Sequence, residues 1–344
     1  MSKVPKVTVL MSVYNGEEFL AEAVESILEQ TFQDFQFLIL NNGSTDKTPE
    51  IVDSYNDPRI RLVHNEKNLG LAGSLNRGLD LAEGEYVVRM DCDDISLPQR
   101  LDKQAAFMDS NPKVGVCGTW VETMGETPGE IKRFQQDPDL IKAGLLFGNF
   151  YITHPSVIMR SSLFKKHKLY YNPALYPAED YALWQKCSKL FPLTNIPEVL
   201  LKYRILPTSG SHANQEHLWE VLRLIARESL LELGVYNGEE DLSMHMDFRS
   251  LKRPVSQEML IKAEQWLQRI KTANQLKKIY PEKALMAVLE ERWFYLCNTA
   301  AGLGPRVWHI YSKSPFSSTN HLPFSKKARF GLRCLLKKKT ITGM

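Results

Sequence analysis

The first ninety residues contain neither G-x-G-x-x-G nor G-x-x-x-x-G-K-[ST]. The chain therefore lacks the usual glycine cradles whose backbone N–H groups hold the phosphates of a dinucleotide or of ATP. Cysteine is scarce. The five, Cys92, Cys117, Cys187, Cys297 and Cys334, are scattered, odd in number and form no C-x-x-C pair. Neither a disulfide framework nor a zinc site is suggested, and a reducing compartment fits. No apolar run approaches the ~18 residues of a membrane span. The opening MSKVPKVTVL runs into a strand pattern with no signal-peptide core, so a cytoplasmic protein is expected. Charge of neither sign dominates: the net charge of +3 over 344 residues points to no nucleic acid.

The cations are nonetheless unevenly placed. Residues 326–339 carry Lys326, Lys327, Arg329, Arg333, Lys337, Lys338 and Lys339 and no acid. Without those seven, 36 basic residues face 40 acidic ones.

Period and punctuation predict an α/β fold, a doubly wound, mostly parallel sheet. Strands are expected at Val7–Tyr14, Phe35–Leu40, Ile60–Val63 and from Tyr86 into the acidic stretch that follows. Helices alternate with them, carrying Phe19 to Leu28, then Ile51 and Val52, then Leu71 to Ala82. Pro98 starts another helix, and Val114–Cys117 and Pro155–Met159 read as strands. Thr119–Gly129 reads as a hairpin or loop, and Asp137-Pro138 opens a short helix to about Leu146. Ala178–Leu190 reads as a helix and Val199–Arg204 as a last strand. Beyond His212 strands vanish and helical stripes dominate. Two domains are predicted, 1–212 and a helical region 213–344 that ends in the basic tail.

Arg89-Met90-Asp91-Cys92-Asp93-Asp94 places three carboxylates at the C-terminal end of a buried strand, where ligands of open α/β sheets bind. Such a cluster repels itself unless a cation neutralises it, and oxygen ligands select Mg²⁺ or Mn²⁺, whose remaining ligands are usually phosphates and water. A metal gripping a diphosphate is one reading; a solvated acidic turn that caps the next helix is the other. The missing glycine cradle favours the first, since phosphate needs some counter-charge.

The ordered motifs resemble family 2 glycosyltransferases. Val9–Tyr14 followed by Asn15-Gly16-Glu17 is similar to the family's opening strand, and Gln30-Thr31-Phe32 to the segment before its second strand. Asn41-Asn42-Gly43-Ser44-Thr45-Asp46 resembles its N-D-G-S-x-D turn, and Asn68, Gly70 and Asn76 match the region after the third strand. Arg89-Met90-Asp91-x-Asp93-Asp94 with Leu97-Pro98-x-Arg100-Leu101 resembles bacterial members that build surface polysaccharides. Glu179-Asp180 is similar to the E-D motif. The resemblance spans roughly residues 5–212.

It implies a GT-A fold and a metal-dependent enzyme with inverting, single-displacement transfer from a nucleotide-diphosphate sugar, with UDP expected. The acceptor would be a glycan or lipid-linked glycan. Val13, Tyr14, Glu18, Asn42, Asn68, Asp91 and Arg204 would bind the nucleotide-sugar. Asn42 stands where the family usually has an Asp that accepts the uracil imide N–H; an Asn carbonyl can accept the same bond without charge. The alternative for Asn41-Asn42-Gly43 is a tight turn. Asp93 would ligate Mn²⁺ or Mg²⁺ directly, with Asp91 on the donor or the metal. Asp180 would be the general base; otherwise Glu179 and Asp180 only favour a helix N-terminus. His154 lines the site, ligates metal or is structural. Glu179 is an acceptor or supporting contact, and Trp184 stacks on an acceptor sugar or lies in the core. Tyr203-Arg204 resembles a Y-R-x-H segment that closes over the diphosphate; Leu206 stands in place of the His, with Lys202 and His212 as nearby substitutes. The basic tail either lies peripherally on an anionic membrane face or is solvated. A sugar-phosphate nucleotidyltransferase would want a basic, glycine-rich loop after the first strand, where Glu17-Glu18 stand; a catalytically silent assembly partner would not need the acidic cluster and Asp180.

Overall fold

A computed structural model describes residues 4–207, 214–250, 256–317 and 323–337. The expected boundary at 212, and His212 itself, lie outside the described residues, as do Lys338 and Lys339. The chain forms two compact units. One comprises Met1–Ile141 and Asn149–Val221, the other Lys142–Gly148 and Leu222–Met344.

The first unit is built on β1 (Val7–Val13), β2 (Phe35–Asn41), β3 (Ile60–His64) and β4 (Tyr86–Met90), parallel in the order β3-β2-β1-β4. β1, β2 and β4 read as near-continuous apolar runs because both sheet faces are covered. Val9 and Met11 pack with Leu20, Val24 and Ile27 of α1 (Leu20–Leu28) and with Leu101, Ala105 and Met108 of α4 (Arg100–Ser110). On the other face Leu10 and Leu40 meet α3 (Gly70–Leu81) so closely that a Cβ at Gly78 would stand 2.2 Å from Leu10 Cδ1. A short α2 (Thr48–Asp53) follows β2.

The sheet continues through β8 (Ile158–Arg160), antiparallel to β4, and β6 (Val116–Gly125), antiparallel to β8. β9 (Leu193–Ile205) runs parallel to β6, with β5 (Ile95–Ser96) antiparallel at its far side and β7 (Ile131–Lys132) pairing β6. The stretch expected as hairpin or loop is a hairpin: β6 runs to Gly125, and the chain turns back into the antiparallel β7. β9 starts six residues earlier than its apolar run indicates. The register between β6 and β9 slips where Pro197, which has no N–H to give a ladder, interrupts the strand. A helix that the apolar pattern does not show, α6 (Ser161–His167), follows β8, after α5 (Pro138–Gly144). α7 (Glu179–Cys187) carries the two acidic residues in its first turn.

The second unit is helical: the part of α8 (Gln215–Leu233) from Leu222 on, α9 (Glu239–Ser250), α10 (Gln257–Lys277), α11 (Glu282–Thr299), α12 (Pro305–Lys313) and α13 (Phe324–Leu335). Lys142–Gly148 is held within it by His245, whose Nε2 donates to Leu146 O at 3.0 Å and whose ring stacks on Phe147. Burial pushes His245 down to about 4, so the imidazole is neutral there. Phe294, Trp308, Tyr311 and Phe330 form an aromatic cluster joining α11, α12 and α13. No helix among the described residues is long and apolar enough to cross a membrane.

Candidate active site

Two loops at the C-terminal edge of the parallel strands are laced together. Asn15 N donates to Ser44 Oγ (3.0 Å) while Thr45 N donates to Asn15 Oδ1 (2.9 Å). Gly16 N reaches Thr48 Oγ1 (2.9 Å), Glu17 N reaches Asp46 Oδ2, and Lys47 N reaches Glu17 Oε2 (both 3.0 Å). Ser44, Asp46 and Thr48 thus tie the second loop to the first. Gly16 is required by close approach, since a Cβ there would stand 2.7 Å from Val13 Cγ2 and 3.3 Å from Cys92 Sγ. Tyr14 is half exposed at the end of β1 and Glu18 is exposed, both open to a ligand. Val13 is not: its side chain is core, and its carbonyl accepts from Asn42 N at 2.8 Å.

Asn42 is also corrected. It is buried, and all four of its side-chain hydrogen-bond positions are taken. Oδ1 accepts from Asn65 Nδ2 (2.8 Å) and Leu69 N (3.0 Å); Nδ2 donates to Asn68 Oδ1 (3.0 Å) and Gly70 O (3.3 Å). The backbone partners fix the amide's orientation, because N–H can only donate and C=O only accept. No acceptor position is left for a base. Asn68 serves the same network, its Oδ1 also accepting from Gly70 N at 2.8 Å. Asn42→Asp would set a carboxylate oxygen against two acceptors. It is expected to lower stability by about 1–3 kcal/mol in urea denaturation; a variant as stable as wild type would contradict this network.

The acidic turn follows β4. Arg89, 2% exposed, forms an ion pair with Asp91. Asp94, 1% exposed, accepts from Arg204 N through Oδ1 (2.8 Å), while its Oδ2 has no hydrogen-bond partner among the described residues. One oxygen of each of Asp91, Asp93 and Asp94 lies within 4.8 Å of the others. Burial, reinforced by the Asp91 charge, pushes Asp93 up to about 6 and holds Asp94 well above the usual carboxylate range. The cluster is short of positive charge, and its all-oxygen donors fit a hard divalent cation. Asp91 and Asp93 would hold it, both being partly exposed, whereas Asp94 anchors β9. Arg204 lines the same cleft, but its guanidinium is engaged: Nε donates to Asp93 O (2.7 Å), Nη2 meets Glu22 (2.7 Å), and the group lies 4.1 Å over the Phe19 ring. Lys202 sits opposite Ile95 on β9.

The opposite wall comes from the turn at His154 and from α7. His154 Nε2 pairs with Tyr171 OH at 2.8 Å, and Asn76 grips the Tyr171 backbone on both sides (2.8 and 2.9 Å). Burial and the Arg89 charge hold the imidazole neutral. Trp184 is fully buried and packs edge-on against His154 at 5.9 Å; stacking on an acceptor sugar is excluded, and its role is support. Glu179 lines the cleft but is 3% exposed, its Oε2 without a hydrogen-bond partner among the described residues. Burial, then the Asp180 charge, pushes it up to about 7. Asp180 Oδ2 accepts from Asn149 Nδ2 at 2.9 Å and Oδ1 from Tyr181 N. Arg89, Asp91, Asp93, His154, Glu179, Asp180, Tyr203 and Arg204 share one cleft of about 250 Å³.

Three supporting residues carry no role in the sequence reading. Arg100 is fully buried, and its Nη2 donates to Arg89 O (2.7 Å) and Pro155 O (2.8 Å), binding the two walls to each other. Gln30 accepts from Leu101 N (3.0 Å) and donates to Leu97 O (2.9 Å), seating α4. Asn149 orients Asp180. Arg100 and Gln30 sit in motifs visible in the sequence, but their partners are remote; nothing local marks Asn149.

A model of the glycosyl transferase family 2 matches residues 8–168. An uncharacterized glycosyltransferase of Haemophilus influenzae is 33% identical over 241 residues, covering 67% of this chain and 75% of its own. The amylovoran biosynthesis glycosyltransferase AmsE of Erwinia amylovora is 32% identical over 226 residues, covering 63% and 81%. The fold is similar to the crystal structure of S. aureus TarS residues 1–349 in complex with UDP-GlcNAc, with a TM-score of 0.58 and 22% identity over 90% of this chain and 88% of that one. That likeness agrees with a GT-A fold. The acidic turn, the E-D pair facing it across one cleft and these relatives converge: the chain belongs to glycosyl transferase family 2.

Proposed function

We propose that this glycosyltransferase moves one sugar from a UDP-sugar to a hydroxyl of a glycan or lipid-linked acceptor in polysaccharide synthesis. The transfer inverts the anomeric centre and uses Mn²⁺ or Mg²⁺ held by Asp93 and Asp91. The observation that carries this reading is the shared cleft: a carboxylate set suited to a hard cation on one wall, a hydrogen-bonded carboxylate, Asp180, on the other. The relative named for amylovoran biosynthesis supports a polysaccharide context.

When bound, a divalent cation neutralises the charge that grows on the departing diphosphate. The protein's residues do the rest. Arg89 pins one oxygen of Asp91, and the Arg204 amide pins Asp94. Asp180 takes the acceptor's hydroxyl proton as that oxygen attacks the anomeric carbon, and Asn149 keeps the carboxylate aimed. His154, neutral and tied to Tyr171, borders the acceptor side without adding charge.

A panel of nucleotide sugars, offered with Mn²⁺ and with EDTA, tests the reading. UDP-sugar turnover that EDTA abolishes and that Asp93→Ala loses is expected, with the product's anomeric configuration opposite to the donor's. Turnover that survives both EDTA and Asp93→Ala would sink it.

A further inference from the structure

Helix α13 has two apolar faces. One is buried: Phe330 and Cys334 are 1% and 0% exposed, and Phe330 packs on Phe294, Trp308 and Tyr311 with ring centroids 5.2–5.7 Å away. The other points outward. Leu332, Leu335 and Leu336 are 55%, 68% and 54% exposed, and with Ala328 they fall at i, i+4, i+7 and i+8, a single stripe of a helix. A helix needs one apolar face to join its own fold, so the second is left for something else.

The charge around that stripe is of one sign. Residues 323–337 carry Lys326, Lys327, Arg329, Arg333 and Lys337 and no acidic residue. Arg329 stands three residues before Leu332 and Arg333 three before Leu336, so each cation borders a leucine. Trp308 of α12 is 38% exposed and lies against α13, where a Cβ at Gly331 would be 3.4 Å from its ring. Arg306 and Lys313 are exposed on α12. Leucines outward, an indole at the rim and flanking cations make the pattern of a helix lying in a bilayer interface.

We propose that the α12–α13 face docks on an anionic lipid bilayer. The leucine stripe enters the headgroup–acyl boundary and the cations meet lipid phosphates. Charge complementarity selects this occupant. A second copy pairing through the same face would set these cations against each other, and a nucleic acid would leave three leucines facing phosphate. The inference stands apart from the catalytic reading, because vesicle binding involves neither donor nor metal.

The full chain is tested by co-sedimentation with phosphatidylcholine vesicles, with and without about 30 mol% phosphatidylglycerol. Binding to the anionic vesicles only is expected, weakening as salt rises to about 0.5 M, with a blue shift of Trp308 fluorescence. Leu332→Ala/Leu335→Ala/Leu336→Ala is expected to cut binding at least about tenfold. Each of Lys326→Gln and Arg329→Gln is expected to cost roughly fivefold. All are exposed positions, so melting curves should match wild type. Equal binding to neutral vesicles, or binding unchanged in the triple variant, overturns the proposal. So does dimerisation in light scattering that the triple variant abolishes, which would assign the stripe to a second copy.

Discussion

Replacing Asp180 with Asn is expected to cut sugar transfer by about 10²–10⁴-fold while donor affinity stays within about twofold of wild type. The substitution keeps shape and most contacts. An Asn side-chain oxygen still accepts from Asn149 Nδ2, so the first turn of α7 stays in place. What disappears is the capacity to take a proton from the attacking hydroxyl. The loss should fall on kcat, since that proton moves only as the glycosidic bond forms. Donor affinity, read by calorimetry, depends on the other wall of the cleft and should hold. Transfer within about tenfold of wild type would mean that another group is the base. Glu179 would then be the next residue to test, because it lines the same cleft, buried and held up to about 7.

Arg89→Met is expected to destabilise the fold by about 3–5 kcal/mol. Arg89 is almost fully buried, and its guanidinium is paired with Asp91. Burial works against its charge, but the Asp91 charge and hydrogen bond outweigh that, so it stays protonated. Breaking such a pair strands the survivor, and although Asp91 is itself partly exposed, its charge then goes uncompensated. Here the survivor has company: Asp93 and Asp94 already repel Asp91 and each other. Urea denaturation measures the loss, and a change below about 1 kcal/mol would show that the carboxylates do not depend on this cation. Mn²⁺ should stabilise Arg89→Met as well, because any ligand of the native state shifts unfolding by mass action.

Much of this fold is legible in the sequence, and the parts that are not share a cause. β1, β2 and β4 are near-continuous apolar runs because helices cover both sheet faces, so their limits are visible to within a residue or two. α6 is not visible: seven residues, three of them basic, bury little beyond Phe164. The start of β9 is hidden behind Pro197, and only its partner β6 shows that the strand resumes beyond the slip. At the site, residue types at the expected spacing bring Asp91, Asp93, His154, Glu179, Asp180 and Arg204 into one cleft. The same reasoning misplaces Val13 and Asn42, whose types suit a ligand but whose neighbours, distant in sequence, have already enclosed them, and it leaves Trp184 open between an acceptor contact and the core, where the structure puts it. Accessibility is a property of the assembled chain, and residue type does not encode it.

The pairing of β9 with β6 has a consequence for how the molecule comes to life. Val116 pairs with Leu193 and Gly125 with Ile205, so each rung closes a loop of roughly 80 residues, a slow kind of contact to form. Arg204, which fastens the Asp93–Asp94 turn, rides on the end of that strand. The cleft is therefore incomplete until the last strand of the sheet arrives. In refolding, the ability to bind a donor should lag behind the recovery of helix and appear together with the slow phase that docks β9.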